Sequence, residues 1–456
     1  MERLTAQLAG IVGREQVLVG DEISDDYAHD EALTAVHQLP AFVVRPASTA
    51  QVADVLRVAG EQHVPVTARG NGTGLSGAVV PRPDAIVVSF ERMNEVLEID
   101  EENHVAVVQP GVSLSQLDEV TAAHGLVYPV YPGEYSASLG GNVATNAGGM
   151  RAVKYGVTRH QVLGLEAVLA TGEVIRTGGK FVKATTGYDL TQLIIGSEGT
   201  LALVTEAILK LYPRPAHNAT VMAPFRALDE VMAAVPKIVV SGIGPLILEY
   251  IDTVTMSAIT GHVGLDLGIP EDIRENALAY LVVMMENTHS DRLDDDVQAL
   301  SEQLFELGGM DVYVLPPQAA AQLIDAREKA FWVAKASGAA DVVDIVVPRA
   351  KVAALMAKVA DVASTHQSWI AGCGHAGDGN VHLSVFQPDA EQRYKVLREL
   401  FEAGMAMGGA ISGEHGIGTA KKRYFLELED PVKVELMRRI KHAFDPNDIL
   451  NPGTLF

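Results

Sequence analysis

The feature that most constrains the fold of this chain is a set of three glycine-rich segments in its first half. They read RGNGTGLSG (69–77), SLGGNVATNAGGMRAVKYG (138–156) and GSEGT (196–200). Interior glycine costs conformational entropy, and it is used where the backbone needs a positive φ or a close approach to another group. One such loop could be a flexible turn. Three in one half of a chain indicate loops that bring their backbone N–H groups close to a ligand.

Two segments, residues 72–77 and 372–377, match the dinucleotide-binding pattern G-x-G-x-x-G. In a Rossmann site this pattern must open a helix, because the helix N-terminus binds the pyrophosphate. The first match runs into AVVPRPDAIVVSF, where two prolines exclude a helix, and the second is also not followed by one. Neither match therefore predicts a Rossmann site, and residues 69–77 are better interpreted as a nest-type phosphate loop.

Length and charge exclude several classes of protein. A chain of 456 residues predicts two or three domains. With 35 Lys+Arg against 58 Asp+Glu the net charge is −23, which disfavours nucleic acids and anionic membrane surfaces as partners. The single cysteine, Cys373, excludes an internal disulfide. The chain has no apolar run of about 18 residues and no signal or transit composition, so we expect a cytoplasmic protein that is not integral to a membrane.

The pattern of apolar residues predicts an α+β organisation. In the first half, β-branched runs at 41–45, 64–68, 85–89 and 105–108 flank a helical pattern at 49–63, with Ser48 or Thr49 as its N-cap. After residue 216, strand-like runs alternate with long amphipathic stretches, which predicts a sheet with helices covering one face. The tail from about residue 420 is predicted to be helical. We place the domains at 1–213, 214–406 and 407–456.

Two histidines in the second half are brought together by a predicted hairpin. The segment WIAGCGHAGDGNVHLSVF (369–386) is typical of two strands joined by a two-residue turn at Asp378–Gly379. With that turn His375 faces His382, and directly opposed Cβ atoms lie about 4.5–5.5 Å apart, close enough for both imidazoles to bind one metal ion. The alternative is a pair of structural histidines held by hydrogen bonds. We favour the metal site.

A third metal ligand is available in SGEHGIG (412–418), which offers the adjacent Glu414 and His415. Cys373 has the same strand parity as His375 and could complete a Cys/His/His site. We interpret Cys373 instead as an ordinary buried thiol.

The glycine-rich segments together resemble the vanillyl-alcohol-oxidase-like, PCMH-type FAD-binding fold. The resemblance is carried by RGNGTGLSG (69–77), YPGEYSASLGGNVATNAGG (131–149) with KYG (154–156), and GSEGTLALVTEAILKL (196–211). It implies that these segments contact the pyrophosphate, the ribityl chain with the isoalloxazine, and the adenosine part, respectively. The FAD-binding residues it implies are Arg69, Gly70, Asn71, Gly72, Thr73, Gly74, Ser76, Gly77, Pro132, Gly133, Ser138, Gly141, Asn142, Asn146, Gly148, Gly149, Glu198, Gly199, Val204 and Asn451. Some members attach FAD covalently through a His in the first segment, which has none here, so we expect dissociable FAD.

The second half resembles the FAD-linked oxidase C-terminal domain of D-lactate dehydrogenases, D-2-hydroxyglutarate dehydrogenases and glycolate oxidase flavoprotein subunits. The motifs are GHAGDGNVH (374–382) followed by GEHGIG (413–418), and with the first half the resemblance covers essentially the whole chain. It implies a PCMH-type two-lobed FAD-binding domain, an α+β substrate domain with an antiparallel sheet, and a helical C-terminal segment. It also implies that His375, His382 and Glu414 bind one divalent ion, zinc or manganese, and that His415 is the catalytic base.

The same resemblance suggests a reaction and two further site residues. Arg327 in DAREKAF matches an arginine suited to the substrate carboxylate, although a solvated helix arginine is an equal alternative. Lys421 matches a recurrent lysine that could also be a helix cap. The implied reaction passes the C2 hydride of a D-2-hydroxy acid to flavin N5 and leaves a 2-oxo acid.

Three positions bear on the substrate. Where the 2-hydroxyglutarate enzymes carry polar groups for a distal carboxylate, this chain has Phe331, Val342 and Ser384. We therefore expect a monocarboxylate with a small or apolar side chain, such as D-lactate. The alternatives are a D-2-hydroxyglutarate or glycolate dehydrogenase, a non-catalytic flavin subunit of a glycolate-oxidase-like complex, and an FAD oxidase or alkyl-dihydroxyacetone-phosphate-synthase-like enzyme. The last of these needs a basic phosphate-binding cluster, which we do not find.

The sequence does not indicate a second, nicotinamide-binding site. We therefore expect a quinone, a cytochrome or an electron-transfer flavoprotein as electron acceptor, and leave a homodimer open.

Overall fold

The computed structural model describes residues 2–456, and the chain begins with a small sheet covered by two helices. The elements are α1 (Glu2–Val12), β1 (Val17–Val19), β2 (Phe42–Val44), α2 (Thr49–Gln62), β3 (Val66–Arg69) and β4 (Ile86–Ser89). The strand order is β1-β2-β4-β3, with β2, β4 and β3 parallel and β1 antiparallel to β2. Helix α2 begins where predicted, because the Ser48 Oγ accepts a hydrogen bond from the Gln51 N–H at 3.3 Å.

A second, antiparallel lobe follows. Its strands are β5 (Val96–Asp100), β6 (Val105–Val108), β7 (Leu126–Val127), β8 (Val162–Val168), β9 (Val174–Gly178), β10 (Leu203–Lys210) and β11 (Tyr212–Pro213). Its helices are α3 (Leu114–Ala123), α4 (Leu139–Thr145), α5 (Ala152–Tyr155), α6 (Thr158–Gln161) and α7 (Leu190–Ile194). The main sheet has the order β5-β6-β10-β8-β9, and β7 pairs with β11. The first half is thus two-lobed, as predicted.

The second half is built on one antiparallel sheet. Its strands are β12 (His217–Phe225), β13 (Ile247–Asp252), β14 (Ala279–Asn287), β15 (Tyr313–Val314), β16 (Asp341–Val346), β17 (Trp369–His375) and β18 (Asn380–Phe386). The order is β15-β12-β14-β13-β17-β18-β16, and neighbouring strands are antiparallel throughout. The prediction of an α+β substrate domain with an antiparallel sheet is confirmed.

Ten helices accompany this sheet within the described residues. They are α8 (Leu228–Val240), α9 (Thr253–Val263), α10 (Glu271–Asn276), α11 (Ser290–Glu306), α12 (Pro317–Glu328), α13 (Ala330–Ala336), α14 (Val352–Thr365), α15 (Ala390–Ala406), α16 (Lys422–Leu428) and α17 (Pro431–Phe444). The helical C-terminal segment is confirmed by α16 and α17. The domain boundaries placed after residues 213 and 406 stay a prediction.

Helices pack on both faces of the sheet, so the prediction that they cover one face is wrong. Leu248 of β13 points to the face covered by α8, α11, α14 and α15. Ile251 of β13 and Cys373 of β17 point to the other face, where α9 and α12 contribute Ile259 and Leu323. Periodicity identifies the apolar side of a helix, but it does not reveal which side of a sheet that helix joins.

Both rejected Rossmann patterns lie outside helix starts, which confirms their rejection. The chain passes from β3 to β4 through residues 70–85 without a helix. Gly372 and Gly374 lie inside β17, where a Cβ on Gly374 would lie 2.8 Å from the Tyr250 ring. These glycines therefore serve close packing in a sheet.

The C-terminal end returns to the first half. The Val66 N–H donates to the Ile449 carbonyl at 2.7 Å, and the Asn451 N–H donates to the Val66 carbonyl at 2.7 Å. The end of the chain is therefore attached beside β3, next to the first glycine-rich segment. Across residues 2–456, the helices are too short or too polar to cross a membrane.

Candidate active site between the two halves

A long cleft separates the two lobes of the first half and reaches the loop 412–418; we call it the cofactor cleft. It encloses about 1280 Å³ of space open to solvent. Most of the predicted FAD-binding residues line it: Gly70, Asn71, Gly72, Thr73, Gly74, Ser76, Pro132, Ser138, Gly141, Asn142, Gly148, Glu198, Gly199, Val204 and Asn451. Loops distant in the sequence thus converge on one concave surface, as a large cofactor requires.

The loop 71–76 fits an anionic group in this cleft. Within residues 2–456, the backbone N–H groups of this loop donate to no protein acceptor. The Ser76 Oγ and the Asn142 Nδ2 are also buried without a partner in the described chain. Buried polar atoms normally find partners, so donors left open around a glycine-rich loop match the acceptor oxygens of a phosphate-bearing cofactor.

Five predicted FAD-binding residues lie elsewhere. Arg69 is buried and its Nη1 donates to the His29 carbonyl at 2.7 Å, while the Gly77 N–H donates to the Asp30 carboxylate at 2.8 Å. Asn146 ends α4, and its Oδ1 accepts from the Arg159 N–H at 2.9 Å. These residues shape the loops rather than line the cofactor cleft. The remaining two, Gly133 and Gly149, line a neighbouring cleft.

Glu198 of the third glycine-rich segment connects the two halves. Its backbone has a φ of 52°, and its carboxylate accepts the N–H groups of Ile417 at 2.8 Å and Gly418 at 2.7 Å. Burial raises the pKa of Glu198 to about 7, against the two hydrogen bonds that lower it. Glu198 therefore lines the cofactor cleft and also holds the loop 412–418 against it.

The hairpin at residues 369–386 has a different register from the predicted one. His375 pairs with Asn380 and Cys373 pairs with His382, so the turn has four residues, 376–379, and the predicted His375–His382 register is wrong. A type I′ turn needs positive φ at both central residues, and only Gly379 has it, at 80°. The two histidines still meet as diagonal neighbours on one sheet face, with ring centroids 4.7 Å apart.

His375, which is buried, forms one cluster with His382 and Glu414, which are partly buried. The Glu414 Oε1 lies 3.1 Å from the His375 Nε2 and 3.2 Å from the His382 Nε2. One ligand-type atom from each residue lies within 4.8 Å of the other two, which suits a single ion. Cys373 lies on the same sheet face as His375, and this position on the strand is all that supports it as an alternative metal ligand. Burial raises the pKa of its thiol to about 11, which disfavours the thiolate that a metal requires.

A buried carboxylate that was not among the predicted site residues, Glu249, lies behind His375. The His375 Nδ1 donates to the Glu249 Oε1 at 2.6 Å, and the His375 Nε2 lies 3.1 Å from the Glu414 Oε1. Burial disfavours the charged imidazole, but Glu249 and Glu414 override it and raise the pKa of His375 to about 10. A positive charge is therefore favoured between His375 and Glu414, and a divalent ion held through a carboxylate-backed histidine fits there.

A second such carboxylate, Asp344, organises the loop that carries His415. Its Oδ2 accepts the N–H groups of Gly413, Glu414 and His415 at 2.7–2.9 Å. The His415 Nδ1 lies 3.3 Å from the Asp344 Oδ1, and the Lys421 ammonium also donates to that oxygen. Burial lowers the pKa of His415 to about 4, although Asp344 raises it.

The contacts with Asp344 distinguish the positions of His415 and Lys421. His415 is neutral near pH 7 with one nitrogen beside Asp344, so its other nitrogen is available as a base. Lys421 is buried against Asp344 and Ser412 and lies behind the loop rather than in a cleft. Its position supports the loop, which places it among positioning residues.

Arg327 lies at the end of α12, buried, with its Nη2 2.6 Å from the Glu249 Oε2. It lines the second cleft, here called the substrate cleft, which encloses about 980 Å³ of space open to solvent. Glu249 thus contacts both the guanidinium and His375, on one sheet face. Glu414 and His415 line both clefts, so the two clefts meet at the loop 412–418.

The sequence held a signal for the two missed carboxylates. Glu249 lies in the apolar run LILEYI (246–251) and Asp344 in VVDIVVP (342–348), each the single acid of its run and in the interior of a strand. A charged residue in such a position is costly to bury unless it is paired.

Comparisons with known proteins agree with this architecture. Residues 214–455 match the family described as FAD linked oxidases, C-terminal domain, and residues 40–178 match an FAD binding domain. The chain is 58% identical to an uncharacterized FAD-linked oxidoreductase of Mycobacterium tuberculosis (100% of this chain, 99% of the relative). It is 36% identical to a D-lactate dehydrogenase of Anaerostipes hadrus (97% and 95%) and 37% identical to one of Archaeoglobus fulgidus (94% and 95%).

Solved structures show the same fold at low identity. A 4-ethylphenol oxidase from Gulosibacter chungangensis superposes with a TM-score of 0.80 at 19% identity, covering 100% of this chain and 96% of the other. A p-cresol methylhydroxylase superposes with a TM-score of 0.80 at 17% identity, covering 99% and 96%. These likenesses bear on the fold alone, and they confirm the PCMH-type prediction.

Proposed function

The chain belongs to the FAD-linked oxidases, in the group of D-lactate, D-2-hydroxyglutarate and glycolate dehydrogenases, and on that premise we propose a specific activity. The protein is an FAD- and divalent-metal-dependent dehydrogenase that oxidises a D-2-hydroxy monocarboxylate, such as D-lactate, to the 2-oxo acid. The ion is zinc or manganese, and the electron acceptor is a quinone, a cytochrome or an electron-transfer flavoprotein. The proposed location is the cytoplasm.

The proposal assigns roles to the residues around the meeting point of the clefts. When bound, FAD supplies a hydride acceptor and a divalent ion supplies positive charge beside the substrate hydroxyl. His415 removes the hydroxyl proton through the nitrogen that faces away from Asp344 as the C2–H bond breaks and the C2=O bond forms. Arg327 binds the substrate carboxylate, and Glu249 holds that guanidinium in place.

One observation carries the proposal: Glu414 and His415 are adjacent in the chain and line both clefts. A group bound in the cofactor cleft and a molecule bound in the substrate cleft would therefore both reach the base and the proposed ion. A silent flavin subunit would not need the cluster of His375, His382 and Glu414 beside His415. The geometry favours a catalytic protein over the silent-subunit alternative.

The test is an anaerobic flavin-reduction screen of the purified protein with D- and L-lactate, glycolate and D-2-hydroxyglutarate. We expect the D-monocarboxylate to bleach the flavin absorbance and the L-enantiomer to leave it. Dithionite reduction is the control for a reducible flavin. If dithionite bleaches the flavin and every 2-hydroxy acid fails to do so, the dehydrogenase proposal is wrong and a non-catalytic flavin subunit becomes the better interpretation.

The flavin is proposed to be non-covalent, because the loop 69–77 has no histidine and Cys373 lies in the other half of the chain. Acid precipitation of the protein should release FAD quantitatively into the supernatant. Flavin that remains with the precipitate would contradict non-covalent binding.

A further inference from the structure

The substrate cleft continues well beyond the histidine–glutamate cluster, along the face of the sheet. On β17 the residues that share the face of His375 are, moving away from it, Cys373, Ala371 and Trp369. Alternate residues of a strand point to the same face, and a strand rises about 3.3 Å per residue, so this row spans about 13 Å from Cys373 to Trp369. That length is far more than the methyl group of lactate needs.

The neighbouring strand continues the same surface. Ser384 pairs with Ala371 and Phe386 pairs with Trp369, and both line the cleft. The side chains that form the floor of the cleft are therefore small near the cluster, at Ala371 and Ser384, and aromatic at the far end. The two aromatic rings lie with their centroids 4.4 Å apart, and Trp369 is 54% exposed.

The remaining walls of this extension are mostly apolar, with Thr255 and Ser337 as neutral polar residues. Helix α9 contributes Val254 and Ala258, helix α13 contributes Phe331 and Ala334, and β16 contributes Val342. Within residues 2–456, the charged or titratable side chains that line this cleft are those of Arg327, Glu328, Cys373, His375, His382, Glu414 and His415. Beyond Cys373 the described lining offers no second cation for a distal carboxylate.

Resting on the proposed dehydrogenase function, we propose that the substrate is a D-2-hydroxy acid with a bulky apolar side chain, either aryl or branched alkyl. Its carboxylate and hydroxyl lie at Arg327 and the cluster. An isobutyl or benzyl side chain then lies over Ala371 and Ser384, and the longer benzyl group extends from there towards the Trp369–Phe386 pair. Each methylene buried contributes about a fourfold gain in binding, so the isobutyl group of D-2-hydroxyisocaproate should give about a 60-fold higher kcat/KM than the methyl group of D-lactate.

The first experiment measures kcat/KM of the FAD- and metal-loaded protein with D-2-hydroxyisocaproate, D-phenyllactate, D-lactate and D-2-hydroxyglutarate, using an artificial electron acceptor. We expect D-2-hydroxyisocaproate to exceed D-lactate by about 60-fold, D-phenyllactate to exceed it by at least that factor, and D-2-hydroxyglutarate to be the poorest substrate. If D-lactate is the best substrate, this inference is wrong while the proposed function stands. If D-2-hydroxyglutarate is the best substrate, the inference and the proposed monocarboxylate preference are both wrong, although the protein is still a dehydrogenase. If none of the acids is oxidised, the proposed function itself fails.

The second experiment places the selectivity in the extension. Ala334→Phe fills the space between α13 and the sheet, so the ratio of kcat/KM for D-2-hydroxyisocaproate over D-lactate should fall at least about tenfold. Ala336→Phe adds the same ring to an exposed position of the same helix and should leave the ratio as it is.

Trp369→Ala, at an exposed position that a fold tolerates, tests the far end independently. It should lower kcat/KM for D-phenyllactate about tenfold more than for D-lactate. An unchanged ratio in both Ala334→Phe and Trp369→Ala, with normal flavin spectra, would overturn the proposal.

Discussion

At the scale of residues, His375 and His415 differ in whether the nearby carboxylates or burial decide the charge of the imidazole. His375 lies between Glu249 and Glu414, and these acids raise its pKa to about 10. For His415 burial outweighs the nearby carboxylates of Asp344 and Glu414, Lys421 and His382 also disfavour the charged imidazole, and the pKa is lowered to about 4. His375 therefore suits a ligand beside a positive ion, and His415 suits a neutral base.

Replacing the proposed base separates catalysis from binding. His415→Ala should lower kcat/KM about 10²–10⁴-fold, because a positioned general base contributes that much to a proton transfer. Flavin content and metal content should stay at wild-type levels, since the Glu414 and Asp344 side chains remain. The measurement is steady-state turnover together with the flavin absorbance and metal analysis. His442→Ala, at an exposed position of α17, is the matched control. Full turnover of His415→Ala would exclude it as the base.

The missed carboxylate Glu249 makes a different prediction. Glu249→Gln keeps an acceptor for the His375 Nδ1–H but removes the negative charge, so metal affinity should fall about 10–100-fold. Titration of the metal into the metal-free protein measures this directly. Glu302→Gln, on the exposed side of α11, controls for the loss of one negative charge. Equal metal affinity in the variant and the wild type would show that Glu249 serves Arg327 alone.

At the scale of elements, the sequence predicted the hairpin at residues 369–386 but not the functional carboxylates on the strands beside it. The alternation along residues 369–386 correctly placed His375 and His382 on one face, although the turn was wrong, because a change of two residues in register preserves parity. Glu249 and Asp344 were not predicted as site residues, because β13 and β16 lie beside the hairpin only through long-range strand pairing. Strand order depends on the packing of the whole sheet, which local patterns do not encode.

The loop 412–418 is held from two sides, by Asp344 and by Glu198. The contact with Glu198 should make the free energy of unfolding depend on pH. The pKa of Glu198 rises from 4.5 to about 7 on folding, mainly through burial. The protonated form is thus favoured in the folded state. The stability that this group contributes is present below pH 4.5 and is lost as the pH rises towards 7, by at most about 1.4 kcal/mol per pH unit.

Glu198→Gln should therefore flatten the pH dependence of the free energy of unfolding between about pH 4.5 and 7. Chemical denaturation of the flavin-free wild type and variant at pH 5 and pH 8 measures the effect. The variant should gain stability relative to the wild type at pH 8. Lys421 and Asp30 are the other charged groups acting on Glu198, and they are unchanged in this comparison. A constant difference at both pH values would contradict a raised pKa for Glu198.

At the scale of the whole molecule, the site exists only because the chain folds back on itself. The glycine-rich segments and the resemblance they carry predicted the two-lobed first half. The motif GHAGDGNVH predicted the antiparallel second half. How the halves meet was not available from either, since it depends on Glu198 and on the loop 412–418 that lies between them. The return of the C-terminus to β3 was likewise not visible in local patterns, because backbone hydrogen bonds between Val66 and residues 449 and 451 make it, with the buried Lys441 as a side-chain support.

The junction of the two clefts predicts how metal removal affects the molecule. The proposed ion is held by His375, His382 and Glu414, which all belong to the second half, whereas the loop 71–76 proposed to bind the FAD phosphates lies in the first half. Chelation should therefore abolish bleaching of the flavin by a D-2-hydroxy acid while the flavin stays bound, and adding zinc or manganese should restore bleaching. His382→Ala should behave like the chelated protein and fail to respond to added metal, because one of the ligands is missing. Full substrate-driven bleaching in the metal-free wild type would remove the ion from the reaction and leave His375 and His382 as structural partners of Glu414.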